Sequence, residues 1–429
     1  MRTTELSIAS AAAVALSLSA FAAYGAESGA GYWIGGTLNV SPFLELSYER
    51  DDNPNSLRAY SKAAARRNGR DRQTESADTF IVKGGLNLLL PGNNWRLDGR
   101  VYGNFETSSG ADVEDRTDFF EFLSLKGWTD AGTTWFLSER YQDIRYDDDY
   151  ELSKDDRTFL DLCAGGELAV SDKSKLLGSV GYIDYDYDDK TVYDYSVVRG
   201  NIGFAHLLTD KTDWTLNAGY KNYDKDGYDS NAWSVNGRIG LRTRSTDKLT
   251  FDTSIGAEFY RDYEYNLYDA DGKYIGKKSK GEDEKSFIYT IGANWKMAQR
   301  LSLRVHGDAG YEPSSDINDN SYLQNSIGAT VTYKPGDHWK LTAGVSYERD
   351  DYNRKVIDRM DAHANPYSSV EQGGKKRKDD EMRYFATVSY ALTRYCSIFA
   401  NWRYTDLDSS VSGYDYDRTR YGAGVALKY

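Results

Sequence analysis

Beyond its first thirty residues this 429-residue chain holds no run of ~20 apolar residues, the length a helix needs to cross a bilayer. Instead, from Gly36 onward, segments of about ten residues alternate apolar and polar side chains. Period two is the mark of a strand with one face in an apolar medium and the other in water. Leu38, Val40, Pro42, Leu44, Leu46 and Tyr48 alternate in this way with Asn39, Ser41, Glu45 and Ser47. The same pattern returns at 80–90, 214–220, 233–241, 301–311, 323–333, 339–347 and 382–390. Segments 119–128 and 135–146 carry aromatics on both faces and are harder to orient.

The connections between segments alternate in kind. Short ones carry turn chemistry, as in Pro91-Gly92-Asn93-Asn94, Ser171-Asp172-Lys173-Ser174, Thr209-Asp210-Lys211-Thr212 and Pro335-Gly336-Asp337. Long ones are polar, roughly 51–77, 262–285 and 350–380. Short turns on one side and long loops on the other are the asymmetry of a transmembrane β-barrel, with periplasmic turns and extracellular loops. Counting segments predicts an all-β, antiparallel transmembrane barrel of about 18 strands, an even number that returns both ends to one side.

Composition supports this reading. The chain has 36 Tyr, 39 Gly and 9 Trp against 6 Pro and 4 Met, which suits strands with aromatic rims rather than a packed soluble core. Trp95, Trp135, Trp214 and Trp339 start segments just after short turns, and Trp128 and Trp295 end them. That ordering predicts one aromatic belt. Tyr48, Tyr146, Tyr185, Tyr223, Tyr260, Tyr311, Tyr347 and Tyr404 are expected to form the opposite one.

At the N-terminus, Arg2, the apolar stretch 8–23 and the small-x-small sequence Ala23-Tyr24-Gly25 predict a secretory signal peptide over 1–25. Residues 26–429 are then a single barrel domain, with no plug. Cys163 and Cys396 are far apart in sequence and outside any metal-ligand spacing, so two unpaired thiols are expected.

Nothing in the sequence spells an active site. The four histidines, His206, His306, His338 and His363, have no spacing that links them to a nucleophile, and His306 with Asp308 is one isolated pair. The acidic runs 147–149 and 184–189 lack the spacing of a calcium loop. No enzyme, cofactor or metal is expected.

The inward set is more informative. If the apolar residues face lipid, the lumen receives Arg96, Asp98, Arg100, Arg199, Lys221, Arg238, Arg242, Asp252, Glu258, Lys296, Arg304, Asp308, Lys340, Glu348, Arg383, Arg403 and Arg420. This set leans basic although the whole chain has a formal charge of -13. Arg or Lys at mid-depth in lipid costs ~2–4 kcal/mol, so these charges need water or partners. The long loops add Arg58, Lys62, Arg66, Arg67, Arg70 and Arg72, then Lys277, Lys278 and Lys280, then Lys375, Lys376, Arg377 and Lys378. They would draw anionic solutes or acidic polysaccharide to the mouth, or face lipopolysaccharide.

The final segment alternates to an aromatic end through Tyr421, Val425, Leu427 and Tyr429, and resembles the signature by which the barrel-assembly machinery recognises its clients. Together with units such as Leu168-Ala169-Val170-Ser171-Asp172-Lys173-Ser174-Lys175-Leu176 and the run Tyr182-Ile183-Asp184-Tyr185-Asp186-Tyr187, the chain resembles the outer-membrane β-barrel porins of the type associated with exopolysaccharide loci. The resemblance implies a channel in the bacterial outer membrane, in contact with lipid and lipopolysaccharide, with no catalytic residues to transfer. It leaves open three readings: passive passage of hydrophilic solutes, anions among them; an exopolysaccharide export conduit; and a structural or adhesive barrel with a filled lumen. Nucleic acid is not an expected partner.

Overall fold

The computed structural model describes residues 31–53, 76–110, 115–146, 156–187, 194–226, 231–246, 248–263, 265–268, 274–279, 283–312, 321–355, 376–410 and 416–428. The expected leader at 1–25, loop residues 58–72, Lys280, His363, Lys375 and Tyr429 lie outside them. The strands are β1 (Tyr32–Ile34), β2 (Leu38–Asp51), β3 (Ala77–Pro91), β4 (Trp95–Ser109), β5 (Arg116–Trp128), β6 (Thr134–Tyr146) and β7 (Arg157–Ser171). They continue with β8 (Ser174–Tyr187), β9 (Tyr195–Thr209), β10 (Thr212–Lys225), β11 (Ala232–Thr246), β12 (Leu249–Arg261), β13 (Tyr265–Tyr268) and β14 (Tyr274–Ser279). The last are β15 (Asp283–Ala298), β16 (Leu301–Glu312), β17 (Tyr322–Tyr333), β18 (Trp339–Lys355), β19 (Lys376–Ala391), β20 (Cys396–Ser409) and β21 (Tyr416–Lys428).

Leaving aside β1 and the separate β13–β14 hairpin, each strand pairs antiparallel with its neighbours and β21 returns to β2, closing an 18-strand barrel. The strand count read from the alternation is therefore the observed one. Closure leaves no sheet edge in lipid, where unpaired backbone groups would cost several kcal/mol each. β21 covers only 43–51 of β2, and β1 pairs with 38–40 below it, filling the rest of that edge. The β1–β2 turn needs Gly35 and Gly36, whose φ values of 59° and 70° a side chain would strain.

The turns explain much of the register. In the two-residue turns after Ser171, Thr209 and Thr246, the hydroxyl accepts a hydrogen bond from the backbone N–H two residues on, at Lys173, Lys211 and Lys248. The same hydroxyl-to-amide contact thus recurs at all three positions on the short-turn side.

The outer face carries the apolar set. Across the closing pair, Leu44, Leu46 and Tyr48 stand beside Leu427, Val425 and Ala423. Trp95, Trp135, Trp295 and Trp339 are exposed near the short turns, as an interfacial belt requires. Two outward positions break the pattern. Glu121 pairs across with Val101 and Tyr141, and Glu139 with Leu123 and Leu162, so both carboxylates sit on the lipid face near mid-depth on adjacent strands. Among the described residues neither makes a hydrogen bond or an ion pair.

The second belt is only partly as expected. Tyr48, Tyr347 and Tyr404 lie on outward positions, but Tyr185, Tyr223, Tyr260 and Tyr311 do not belong to a lipid belt. Tyr185, Tyr223 and Tyr260 point into the lumen from β8, β10 and β12, and Tyr311 packs there as well. The cause is a departure of the wall from a plain cylinder. β15 and β16 pair only from Ala298↔Leu301 up to Thr290↔Asp308. Above that level β16, with β17 still paired to it, leans inward against β12 and β10. Its residues of outward parity there face the inner side of the neighbouring wall at β10 and β12.

Candidate channel lumen

The register places Arg96, Arg100, Arg199, Lys221, Arg238, Arg242, Asp252, Glu258, Arg304, Asp308, Arg383, Arg403 and Arg420 on the inner face of the barrel wall. Eight of them fall into three groups by what they touch.

In the first group a carboxylate lies against the wall and a guanidinium covers it. Arg140 and Arg199 both bind Asp161, at 2.8 and 2.6 Å; the Arg140 side chain is 59% exposed and that of Asp161 11%. Arg116 covers Asp118 at 2.7 Å, with side chains 28% and 1% exposed. Arg383 covers Glu381 and reaches Glu348 at 3.5 Å. Arg96 holds Asp98 through Nε at 2.8 Å. The carboxylates fix the arginines, and the arginines are the more exposed partners on the inner face. A planar guanidinium suits this role because it binds one carboxylate and still presents free N–H groups.

The second group has no such partner. Among the described residues Arg304, Arg403 and Asp252 make no hydrogen bond or ion pair. Isolated charges on an inner wall require water beside them, because burying an unpaired charge is prohibitive.

The third group is taken up by the inward lean of β16 and β17. Lys221 on β10 binds Glu312 on β16 at 2.8 Å. Glu258 on β12 accepts the Tyr311 N–H at 3.0 Å, and the Tyr223 hydroxyl donates to the Tyr311 carbonyl at 3.3 Å. The Tyr260 and Tyr311 rings stack at 4.9 Å, and Ser321 donates to Asp262 at 2.9 Å while contacting the Tyr260 hydroxyl. Val197, Tyr195 and Ile183 from β8 and β9 and Leu323 from β17 pack on the same cluster. This apolar cluster of buried residues thus joins β16 and β17 to the inner face of β8–β12 and narrows the lumen at its outer end. The alternation did not signal this constriction, because Tyr311 and Leu323 continue the outward parity of their strands.

Other inward residues add detail. Arg238 donates to Thr290 at 2.6 Å, and Asp308 accepts from Ser326 at 2.7 Å. Arg420 lies 3.6 Å from Glu49. At the short-turn end Arg242 links Glu167 and Asp213, with Lys175 on Glu167, around a cavity of ≈ 310 Å³. Part of the basic run expected in the third long loop is strand: Lys376, Arg377 and Lys378 open β19, and Arg377 is buried against Asp379 and the Tyr352 ring. Cys163 and Cys396 are free, on β7 and β20. Of the residues proposed as an assembly signal, Tyr421, Val425 and Leu427 face outward on β21.

A family model described as "Putative beta-barrel porin 2" matches residues 283–429, from β15 to the end of the barrel. No curated protein sequence matches the chain. Among solved structures, OpdQ of Pseudomonas aeruginosa is 12% identical, covering 91% of this chain and 99% of its own, with a TM-score of 0.42. OccK2 (OpdF) of the same organism is 12% identical over 91% and 97%, at 0.43. The siderophore receptor PiuA of Acinetobacter baumannii is 10% identical over 90% and 82%, at 0.45. A closed barrel with an apolar outer band, a polar inner wall and this family match is a porin-like protein of the bacterial outer membrane, in contact with its lipid. These features point to a channel rather than an enzyme.

Proposed function

We propose that this barrel is an outer-membrane channel for hydrophilic anions, narrowed at its outer end. The observation that carries the reading is the asymmetry of the inner ion pairs. Asp118, Asp161 and Glu381 are shielded by arginines whose side chains are several-fold more exposed, so the wall is positive toward a solute although the chain is acidic overall. In a narrow hydrated space, fixed charges of one sign set selectivity.

The tyrosine cluster at the mouth favours a second reading, a gated conduit that conducts only when β16 and β17 swing back to the wall. Lipopolysaccharide at the loops and the barrel-assembly machinery at Tyr421, Val425, Leu427 and Tyr429 complete the proposed partners. The reading assigns no catalytic role to any residue.

The test is single-channel recording of the refolded protein in a planar bilayer under a KCl gradient. A steady conductance with a reversal potential on the anion side supports the first reading. Brief, infrequent openings of the same selectivity support the gated one. Cation preference, or silence from barrels shown to be folded, overturns the anion-channel proposal.

A further inference from the structure

The inner wall carries an ordered row of aromatic rings that ion selectivity does not use. Phe43, Tyr102, Phe120, Phe159, Tyr185 and Tyr195 belong to a single cross-strand hydrogen-bonding row from β2 to β9. Ring centroids along it lie 6.1, 4.5, 4.7 and 4.6 Å apart for the adjoining pairs Phe43–Tyr102, Tyr102–Phe120, Phe159–Tyr185 and Tyr185–Tyr195. The row is interrupted at β3, where Gly85 stands, and at β6, where Gln142 stands. A Cβ at Gly85 would lie 2.4 Å from that of Tyr102, so glycine there lets the Tyr102 ring take its place in the row.

The row climbs. Phe43 is the sixth residue of β2 from its short-turn end, and Tyr185 the twelfth of β8. Six residues at ~3.3 Å along strands tilted ~40° amount to a rise of roughly 15 Å. The rings therefore form an inclined track through the lower and middle lumen, ending at the tyrosine constriction.

One step toward the short turns, Phe122 faces the lumen 42% exposed, between Arg100 and Arg140 on the flanking strands. An apolar ring in a wet lumen forgoes the gain of burial, ~25 cal/mol per Å². Rings serving only as wall filling would be covered. Phe43 and Phe159 are covered, by Arg100 at 4.8 Å and Arg140 at 5.0 Å, whereas Phe122 is left open.

The geometry points to a binding track for a linear acidic oligosaccharide, with Phe122 as the open platform and Arg100 and Arg140 beside it. A sugar ring has a face of C–H groups that packs on the negative face of an aromatic ring, and a rim of hydroxyls that needs donors and acceptors. Arg100, Arg140 and Lys83 supply donors and meet the sugar carboxylates, and Gln142, standing in the row, offers a donor and an acceptor to hydroxyls. A nucleic-acid strand would also stack, but its bases and deoxyriboses lack the rim of hydroxyls that the polar groups beside these rings would meet. The inference deepens the channel reading and rests on it for access to the track.

The test uses the full-length folded protein with three probes: a galacturonic acid hexamer, maltohexaose and a hexamer of deoxythymidylate. In planar bilayers the galacturonate hexamer should block the ion current at a concentration at least tenfold below that of either other probe. Phe122→Ala should raise its half-blocking concentration at least tenfold, and Phe399→Ala, inward on β20 but off the row, should not. Binding is also read by titration calorimetry in detergent, which needs no current. Binding that depends on Phe122 in barrels that never conduct would support the track and sink the channel reading. Conducting barrels that neither bind nor are blocked by the galacturonate hexamer overturn the track and leave the channel reading standing. Tighter block by the deoxythymidylate hexamer, or a Phe122→Ala variant indistinguishable from wild type, also overturns it.

Discussion

Replacing Tyr311 by alanine should loosen the outer end of the lumen. Tyr311 is 3% exposed, stacks on Tyr260, and lies on the strand segment that has left β15 to lean inward. Truncating a buried aromatic to alanine costs ~3–5 kcal/mol. The backbone bonds of residue 311 to Glu258 and from Tyr223 survive the change, and Lys221 still binds Glu312. The low end, ~3 kcal/mol, is therefore appropriate. If the leaning and swung-back arrangements exchange, that loss falls on the leaning one. At ~1.4 kcal/mol per tenfold, the balance should shift roughly 100-fold toward the wider mouth. Single-channel recording should show a higher conductance or a much larger open fraction, with Tyr48→Ala on the outer face as the unaffected control. Barrels that fold normally and conduct as wild type, within twofold, would show that the tyrosine cluster does not limit passage.

Three further outcomes follow from particular contacts. Replacing Glu121 and Glu139 together by leucine should stabilise the folded barrel by up to ~2 kcal/mol per site, since acidic groups cost less than Arg or Lys in the bilayer, and so raise the urea midpoint of unfolding from lipid vesicles; an unchanged midpoint would contradict their lipid-facing placement. Asp161→Asn leaves Arg140 and Arg199 without their shared carboxylate and should shift the reversal potential further to the anion side. A shift toward cations, or none, would mean that these arginines do not set selectivity. Arg418→Ala exposes the loss of the pair with buried Asp51 across the β2–β21 seam and should cost ~3 kcal/mol, seen as a lower unfolding temperature. Equal stability would place the strength of the seam elsewhere.

The barrel was legible because its information is local. Turn chemistry at Asp172-Lys173 or Asp210-Lys211 marks strand ends, and parity on either side assigns faces, which is how Arg199 and Lys221 could be placed inside. Parity also has limits that the molecule exposes. On β5 both faces hold aromatics, and the polar residue Glu121 proves to be the outward one while Phe122 is inward. At Tyr311 the parity is right for the strand but the strand has left the cylinder, a tertiary event with no period of its own. The aromatic row was hidden for a different reason: its members are dozens of residues apart and become neighbours only through register.

The seam between β2 and β21 has a consequence for how fast such a molecule can be made. Every other pairing in the barrel wall joins strands adjacent in that wall's chain order, so the sheet can lengthen one hairpin at a time. Only the meeting of residues 43–51 with 420–428 asks the two ends of the growing sheet to find each other. The entropic cost of so long a loop rises only logarithmically with its length, but contacts of such sequence separation are the slow ones. Until they form, two long strand edges are exposed at once, each a template for pairing with another chain. The closing step is therefore both the slowest expected event in assembly and the one during which the protein is most exposed to aggregation.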